Sequence, residues 1–594
     1  MKTRKRENGK TRKFTFHASC FTHHASRFTF YASGLLAFWL SGVPANAQIQ
    51  FNDVTSQAGI HFQHQDGRSG EKYYLETLGS GAAWFDYDRD GDLDIYFVNG
   101  ADLPGIRSEI PPTNALYRNN GDGTFTDATS ATGVGDGSYG FGCCVGDYNN
   151  DGYSDLYVTN FGPNILYHNN GDGTFTDVTA QAGVGDERWG SSAAFIDYEN
   201  DGDLDLFIAN YVDFKFENHP VCHLAGEKVY PPPADYGSTS NLLYRNNGDG
   251  TFTDITKEAG LFNPNGKSLG VVCGDYNNDG YLDIFVTNDV IPNMLYRNNC
   301  DAPTLKDMAI FTDVALFAGV AFGEMGVAYG TMGANFGDYD NDGWLDLVTT
   351  TYENDPCCLY HNDRDGRTFS DTTYPSGYGE ATYTRVSWGG DFVDLDNDGY
   401  QDIFVANGHI YDNAEKVTYN RTTYAQQNQL FRNMGNGAFK EISDQCGEGL
   451  RLKKVSRGAA FGDYDNDGDI DILITNSNQT PDLLRNDSVN QNHWLVFSTV
   501  GVKSNRDGIG ARVKITAGGI SQIREVKSGG SYLCQSDMRV YFGLGEAEKA
   551  DLVEIRWPSG LVECFKEVKA NQFLRAKEGE GLSEILRMRA GFKK

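Results

Sequence analysis

The stretch Phe461–Asn476, FGDYDNDGDIDILITN, constrains the chain more than any other, because it recurs with small edits along the sequence. Its centre alternates carboxylates at Asp463, Asp465 and Asp467, follows them with Gly468, and places Asp471 at the ninth position. Oxygen ligands at positions 1, 3 and 5, a backbone carbonyl near position 7 and a glycine at position 6 are what a calcium ion requires. This hard cation takes about six to eight oxygens, and glycine permits the sharp turn that brings them together. The glutamate that closes an EF-hand at position 12 is absent, since Ile474 stands there. The apolar run Ile470–Ile474 reads as a strand. The unit is a calcium loop between two β-strands.

Seven such loops begin at Asp86, Asp147, Asp197, Asp275, Asp338, Asp394 and Asp463. The predicted ligands of the first are Asp86, Asp88, Asp90 and Asp94, with the carbonyl of Asp92 at position 7. The second has Asp147, Asn149, Asp151 and Asp155 with Tyr153, and the third Asp197, Glu199, Asp201 and Asp205 with Asp203. The fourth has Asp275, Asn277, Asp279 and Asp283 with Tyr281, and the fifth Asp338, Asp340, Asp342 and Asp346 with Trp344. The sixth has Asp394, Asp396, Asp398 and Asp402 with Tyr400; the seventh has Asp463, Asp465, Asp467 and Asp471 with Asp469. Asn149 and Asn277 each lose one charge, and the longer arm of Glu199 shifts the ion or weakens its site. A single Asp-rich turn can stand without an ion. In seven copies, gathering three or four carboxylates without a cation costs roughly several kcal/mol of repulsion and desolvation. One calcium ion per loop is expected.

Two further signatures complete each unit. A strand of the form F-x-D-x-T begins at Phe51, Phe125, Phe175, Phe252 and Phe369; Phe311 begins a copy with Ala315 in place of Thr, and Phe439 a looser one. An L-Y-R-N-N strand, as at Leu116–Asn120, is followed by a turn such as Gly121–Gly123, a hairpin signal. Four strands per unit, repeated at this period, mean a propeller or an open array. The termini decide. The chain begins on an unpaired F-N-D-V-T strand and its seventh unit ends on Leu483–Asn486 without one, so the first strand completes the last blade. The expectation is an all-β chain: a seven-bladed β-propeller over residues 48–488, then a small β-sandwich over 490–576. The tail 577–594 is given one short helix around Leu582–Met588. Uneven loop spacing marks inserts at Tyr211–Ser240, Gly408–Asn428 and Cys300–Ile310, where a binding site is expected.

Residues 1–47 differ in character. A basic start from Lys2 to Lys13, an apolar run Gly34–Val43 and Ala45-Asn46-Ala47 read as a secretory signal, with cleavage before Gln48. No later stretch is long enough to span a bilayer. The expected location is secreted, extracellular, periplasmic or cell-surface. A net charge of −31 and a pI near 4.7 sit largely in the loops, and disfavour nucleic acid as a partner. Of 11 cysteines ten remain after cleavage, without a CxxC pattern, and read as disulfide staples or buried thiols.

The loop-and-strand units resemble the FG-GAP/VCBS repeats of integrin-type propellers. The C-terminal region resembles the ASPIC/UnbV domain through SNRDGIGARV (Ser504–Val513), GGSYLCQSD (Gly529–Asp537), FGLG (Phe542–Gly545) and WPSG (Trp557–Gly560). Together they resemble the cartilage acidic protein 1 family. Cys534 stands where Ser is the rule in that family, and the insert after Cys222 has prolines where relatives often carry a second Cys, which puts a disulfide at Cys222 in doubt. The resemblance implies an extracellular calcium-binding protein of adhesion or matrix interaction, without an assigned enzymatic activity.

Other chemistry is thin. Gly266-Lys267-Ser268 imitates the end of a phosphate loop, but Leu261 stands where its first glycine is required. His64, His219, His223, His361 and His409 are scattered and read as surface residues, and no G-x-S-x-G elbow occurs. Asn505, Arg506, Asp507, Arg512, Gln535 and Asp537 form either a polar recognition site or turn and sheet-edge bonding. No catalytic residue and no organic cofactor is assigned. Two functions remain: a calcium-stabilised module recognising an extracellular protein or glycan, and a calcium-dependent carbohydrate-active lyase or hydrolase with its site in the propeller funnel. The C-terminal domain is expected to fold on its own.

Overall fold

The computed structural model describes residues 49–300 and 309–585. The expected signal with Cys20, and most of the insert Cys300–Ile310, lie outside the described residues. Among the described residues, the repeat forms seven four-stranded sheets. Each runs outward in one order: the strand entering the Asp loop, the strand leaving it, the L-Y-R-N strand and the F-T-D strand. In the second blade these are Tyr139–Gly146, Asp155–Phe161, Ile165–Asn169 and Phe175–Asp177. The two inner strands are buried almost throughout because neighbouring blades cover both faces, so they read as continuous apolar runs.

The blades are tied by one recurring device. In the seventh, the register between Ser456–Gly462 and Asp471–Asn476 slips at Ser456/Ala459, a bulge that frees the Gly458 N–H from the ladder. That N–H donates to Thr475 Oγ1 (2.9 Å), and the hydroxyl donates to Ser80 O of the first blade (2.6 Å). Thr159, Thr287 and Thr350 repeat the link to Ser191 O, Met332 O and Trp388 O. The link from Thr475 joins the last blade to the first, so the inner strands form a closed ring. The outer edge closes there too. Phe51–Asp53 pairs antiparallel with Asp482–Asn486, Phe51 opposite Asn486 and Asp53 opposite Leu484.

The C-terminal residues form two four-stranded sheets. One is Val540–Gly545, His493–Val500, Gln572–Lys577 and Gly581–Glu584; the other is Ile520–Glu525, Arg512–Ala517, Lys549–Arg556 and Val562–Lys569. The expected tail helix is corrected over the described residues. Gly581–Glu584 is an edge strand registered on Gln572–Lys577, because the turn at Gly579 and Gly581 folds the chain back on itself. Residues 586–588 of that expectation lie outside the described part.

This domain does not stand apart. Leu495, Phe497, Ile509, Val513 and Phe542 share one buried cluster with Leu204, Leu206, Leu282 and Ile284 of the propeller. The sequence suggests independent folding because the domain has aromatic residues enough for a core. The structure spends part of that core on the blades.

Candidate metal centres and the capped axis

The seven Asp loops share one backbone. The position-1 carboxylate accepts the N–H groups of positions 5 and 6: Asp463 Oδ1 from Asp467 (3.0 Å) and Oδ2 from Gly468 (2.8 Å), and likewise from Asp86 through Asp394. The position-9 aspartate accepts the N–H of the last Asn of L-Y-R-N, as Asp471 Oδ1 does from Asn486 (2.8 Å), which ties each loop to its third strand. Position 4 is left-handed in every loop, with φ of 56–61° from Arg89 to Asn466. Asn tolerates that region better than most residues, and it does a second job. Asn150 Nδ2 donates to Gly202 O of the next loop, Asn200 to Gly280, Asn278 to Gly343, Asn341 to Gly399, Asn397 to Gly468 and Asn466 to Gly91. The loops form a ring, broken only where Arg89 replaces Asn and lies over the Tyr153 ring at 5.1 Å.

Carboxylate oxygens converge in four loops among the described residues: Asp86, Asp88 and Asp94; Asp338, Asp340 and Asp346; Asp394, Asp396 and Asp398; Asp463, Asp465 and Asp471. Several Asp-rich groups can therefore hold a metal ion. The second, third and fourth loops bring no such trio together. There Asn149 and Asn277 donate to Asp151 and Asp279 (3.0 and 2.7 Å), an amide standing in for a carboxylate. In the fifth loop His361 Nε2 joins the group, 3.1 Å from Asp340 Oδ2 and 3.6 Å from Asp342 Oδ2. His361 replaces the arginine of L-Y-R-N, which in the sixth blade, as Arg432, reaches Asp396 at 2.6 Å.

Burial pushes the position-1 carboxyls up, Asp86, Asp197 and Asp338 to about 7 and Asp147 to about 8, with neighbouring carboxylates adding to the effect. Buried Asp283, Asp346 and Asp402 at position 9 are raised well above the usual range for the same reason. Asp396 Oδ1, Asp402 Oδ2 and Asp283 Oδ2 are buried with no hydrogen-bond partner. Buried acceptors without donors, in an all-oxygen set, are what a hard cation satisfies. The residues fit calcium. The residues at position 7, Asp92, Tyr153, Asp203, Tyr281, Trp344, Tyr400 and Asp469, would contribute backbone carbonyls to that set, while the carboxylates of Asp92, Asp203 and Asp469 accept from Asn466, Asn150 and Asn397.

The C-terminal domain lies on this ring of loops, which decides the polar set of the sequence reading. Asp507 Oδ2 accepts the Asp147 N–H (2.7 Å), Asn505 Nδ2 donates to Asp197 Oδ2 (3.3 Å), and Asn150 Oδ1 accepts the Arg506 N–H (2.8 Å). Arg512 donates to Asp275 O (2.6 Å) and Asn278, and Arg556 pairs with Asp275. Arg539 donates to Asn466 Oδ1 (2.8 Å) and Asp463 O (2.9 Å) while pairing with Asp537. These residues bind the propeller. They are an interface between domains, not an open recognition site.

From this cap, Ser528–Asp537 enters the ring of inner strands. Its backbone bonds to the first blade (Gln535 N to Ala82 O, 2.9 Å; Trp84 N to Gln535 O, 3.0 Å), the second (Cys143 N to Leu533 O, 3.2 Å) and the seventh (Asp537 N to Phe461 O, 2.9 Å). Ser531 and Leu533 sit at φ of 53° and 59°, strained positions held by these bonds. Tyr532, fully buried at the tip, donates to Leu78 O (3.2 Å) and packs on Trp388. Glycines of the inner strands make room. A Cβ on Gly81 would stand 2.3 Å from Leu533 O, and one on Gly458 2.2 Å from Cys534 Sγ. The plug occupies the axis on the side of the first, second and seventh blades, and beside it a cavity of about 120 Å³ remains, lined by Asn335, Asp391, Arg524 and Lys527 among others; sequence reading missed the plug because GGSYLCQSD reads as an ordinary loop.

The opposite ends of the strands carry the inserts Tyr211–Ser240 and Gly408–Asn428, which interlock with the segment that enters the first blade. Lys72 pairs with Asp412, Lys228 with Glu71 (2.8 Å), and Asn413 Nδ2 donates to Lys228 O (3.1 Å). Beneath lie Tyr74, Trp189, Tyr211 and Trp388 in one buried cluster. Two histidines expected at the surface are buried here, His64 with its Nδ1 accepting the Asn478 N–H (3.0 Å), and His409. Lys267 is also buried and donates to Pro233 O (2.6 Å), so the apparent phosphate-loop residues are structural. The ten cysteines among the described residues are free thiols, most of them buried. No helix among the described residues is long and apolar enough to cross a membrane.

Fold and loops together define an all-β repeat protein built around Asp-rich cation loops and capped by a β-domain. The FG-GAP-like repeat model matches residues 86–158, 147–208, 234–286, 338–405 and 394–474, and the ASPIC and UnbV model matches 501–583. The chain belongs to the FG-GAP-like repeat proteins that carry an ASPIC and UnbV domain. It is 27% identical over 320 residues to cartilage acidic protein 1 of Homo sapiens, covering 52% of this chain and 43% of that one. The Mus musculus protein of that name is also 27% identical over 320 residues, covering 52% and 44%. The match thus spans less than half the length of these relatives. Among solved structures it is similar to an Agrocybe aegerita lectin that recognises non-reducing terminal N-acetylglucosamine (20% identity, TM-score 0.36, 61% of this chain and 79% of that one). It is also similar to rhamnogalacturonan lyase YesW (12% identity, TM-score 0.31, 85% and 91%).

Proposed function

We propose that the chain is an exported, calcium-binding propeller that recognises an extracellular protein or glycan through its insert face. The observation that carries this reading is the knitting of two inserts from separate blades and the segment entering the first blade into one layer, through Lys72–Asp412, Lys228–Glu71 and Asn413–Lys228. Long loops ordered on a rigid scaffold are a common place for recognition. The other face is occupied by the cap, and Tyr532 lies buried between them, so a funnel open to solvent is not favoured. In this reading calcium is structural: one ion per loop neutralises the carboxylates that end the inner strands, and the ring of Asn side chains spaces the loops.

The test is capture of ligands by the chain from Gln48 onward, on arrays of extracellular proteins and of glycans, with calcium and with chelator. Capture that requires calcium and is abolished by charge reversal at Asp412 and Lys228 is the expected result. Capture that survives both chelation and those substitutions would set the insert face aside.

A further inference from the structure

Two adjacent blades carry polar residues at an axial position where the rest are apolar. Three residues before the first aspartate of each loop stand Ala83, Cys144, Ala194, Val272 and Ala460 in five blades, but Asn335 in the fifth and Asp391 in the sixth. Asn335 lies on the inner strand Thr331–Gly337 and Asp391 on the inner strand Ser387–Val393, and both are buried. Both line the cavity beside the plug.

The cap adds a lysine to the same cavity. Lys527, the residue before the plug segment, donates from Nζ to Asn335 Oδ1 (2.5 Å) and to Phe336 O (3.0 Å). With a carbonyl bond of about 1.23 Å and an acceptor angle above about 90°, Asn335 Cγ lies about 2.8–3.7 Å from that nitrogen. Reacting atoms poised for attack stand about 3–3.5 Å apart. Burial favours the uncharged form of both ionisable groups. It lowers the Lys527 amine from its ordinary value, against the pull of Asp391 and Glu525. It raises Asp391 to about 6, with Lys527 and a bond from the Asn335 amide opposing the rise. An amine without its extra proton is a nucleophile, and a protonated carboxyl beside it can move protons.

We propose that Lys527 and Asn335 become joined by an isopeptide bond, with Asp391 as the proton-transfer group. Nζ forms a bond to Cγ, and the Cγ–Nδ2 bond breaks. The proton lost by Nζ passes through the Asp391 carboxyl to Nδ2, and ammonia leaves into the cavity. An amine and a primary amide become a secondary amide and ammonia. The step consumes no oxidant, cofactor or water, and Asp391 ends in the state in which it began. The bond fastens the plug to blade five, adding a covalent tie to the backbone bonds with the first, second and seventh blades. Unlike a disulfide, which the free thiols of the described residues do not form, this tie is indifferent to reductant.

The experiment takes the calcium-loaded chain from Gln48 onward, denatures and reduces it, and reads it by mass spectrometry. The chain should be lighter than its sequence by one ammonia, about 17 Da. A tryptic digest should hold one branched peptide joining Asn335 to Lys527, which separates this loss from cyclisation of Gln48 at a free N-terminus. Because the joined residues are 192 positions apart, the denatured parent should also run faster on a gel than Asp391→Ala. Asp391→Ala, Asn335→Ala and Lys527→Met should each abolish the branched peptide. A parent digest in which trypsin cuts after Lys527 as after any lysine, and Asn335 is recovered unlinked, overturns the proposal without requiring any variant to fold. A link that persists undiminished in Asp391→Ala overturns the part given to Asp391.

Discussion

The closure of the ring by a strand from the opposite end of the repeat gives the sharpest prediction. In a chain starting at Ser56, the seventh blade loses Phe51–Asp53 and exposes the edge of Asp482–Asn486. Ile49, Phe51 and Val54 are all buried, and burial of such side chains contributes about 1.5–3 kcal/mol each. The Phe51 N–H bond to Cys446 O (2.8 Å), the Val54 N–H bond to Leu483 O (2.9 Å) and the Asp487 N–H bond to Gln50 O (2.8 Å) add about 1 kcal/mol each. The sum is near 10 kcal/mol, the order of the whole stability of a folded domain. Phe51→Ala alone should cost about 3–5 kcal/mol. Leu582→Ala, on the edge strand of the cap, should cost about 1 kcal/mol. Urea unfolding followed by near-ultraviolet circular dichroism, with light scattering for the association state, measures both quantities. The truncated chain should unfold or associate through its open edge. A monomer from Ser56 that melts with the chain from Gln48 would refute the closure.

Chelation should lower the thermal midpoint by many degrees, since an ion at about a thousand times its Kd stabilises by about 4 kcal/mol per site; an unchanged melt in excess chelator refutes structural calcium. Asp465→Ala should remove one ion from the total titrated and leave the others. Arg539→Met removes the donors to Asn466 and Asp463 and leaves Asp537 with the residue-539 N–H and the Tyr541 hydroxyl but no counter-charge, at about 3–5 kcal/mol, and should weaken the seventh calcium site about 10- to 100-fold. Equal calcium titrations of variant and parent would count against that coupling. His64 is held down to about 3 by burial, with Arg457 and Arg68 adding to it, against 6.5 unfolded. Below 6.5 the unfolded chain takes up the proton and the folded chain does not, so its contribution is complete above 6.5 and is lost toward pH 3. His64→Gln should therefore flatten the acid loss by about 3 kcal/mol at pH 4, read as the difference between variant and parent stability curves.

Much of this was legible because the repeat encodes it locally. Asp at positions 1 and 9, Gly at 6 and an apolar run after them specify strand, turn and strand with no distant information. The unmatched F-N-D-V-T strand revealed the closure by simple counting. What was not legible depends on residues far apart in the chain. Gly81, Gly142 and Gly458 look like ordinary strand glycines until Leu533 and Cys534 arrive beside them. Arg512 and Arg539 look like surface cations on an acidic chain until Asp275 and Asp463 are placed under them. His409 looked exposed because its insert is polar, yet Arg457 and Trp388 fix Gly408 and bury the residue that follows. Position 4 offered a signal that went unread: Asn stands there in six of seven loops, more often than a turn alone requires.

The cap and the loops behave as one unit for a physical reason. A ring of buried carboxylates repels itself, and two kinds of cation can relieve it: an ion inside each loop, and guanidinium groups brought from outside. The cap brings the second kind. Arg539 stands by Asp463 and within the field of Asp86, Arg512 by Asp275, and Arg524 between Asp338 and Asp394. Arg512 and Arg539 donate to the backbone carbonyls of Asp275 and Asp463, so a guanidinium and an ion could act on the same loop. Each then orients what the other binds, as outer contacts around a metal do. The plug adds a mechanical tie, since Ser528–Asp537 cannot leave the axis unless the cap lifts from the loops. If the loops hold ions, loosening of the cap and withdrawal of Tyr532 should accompany their loss, since the plug ties the cap to the axis.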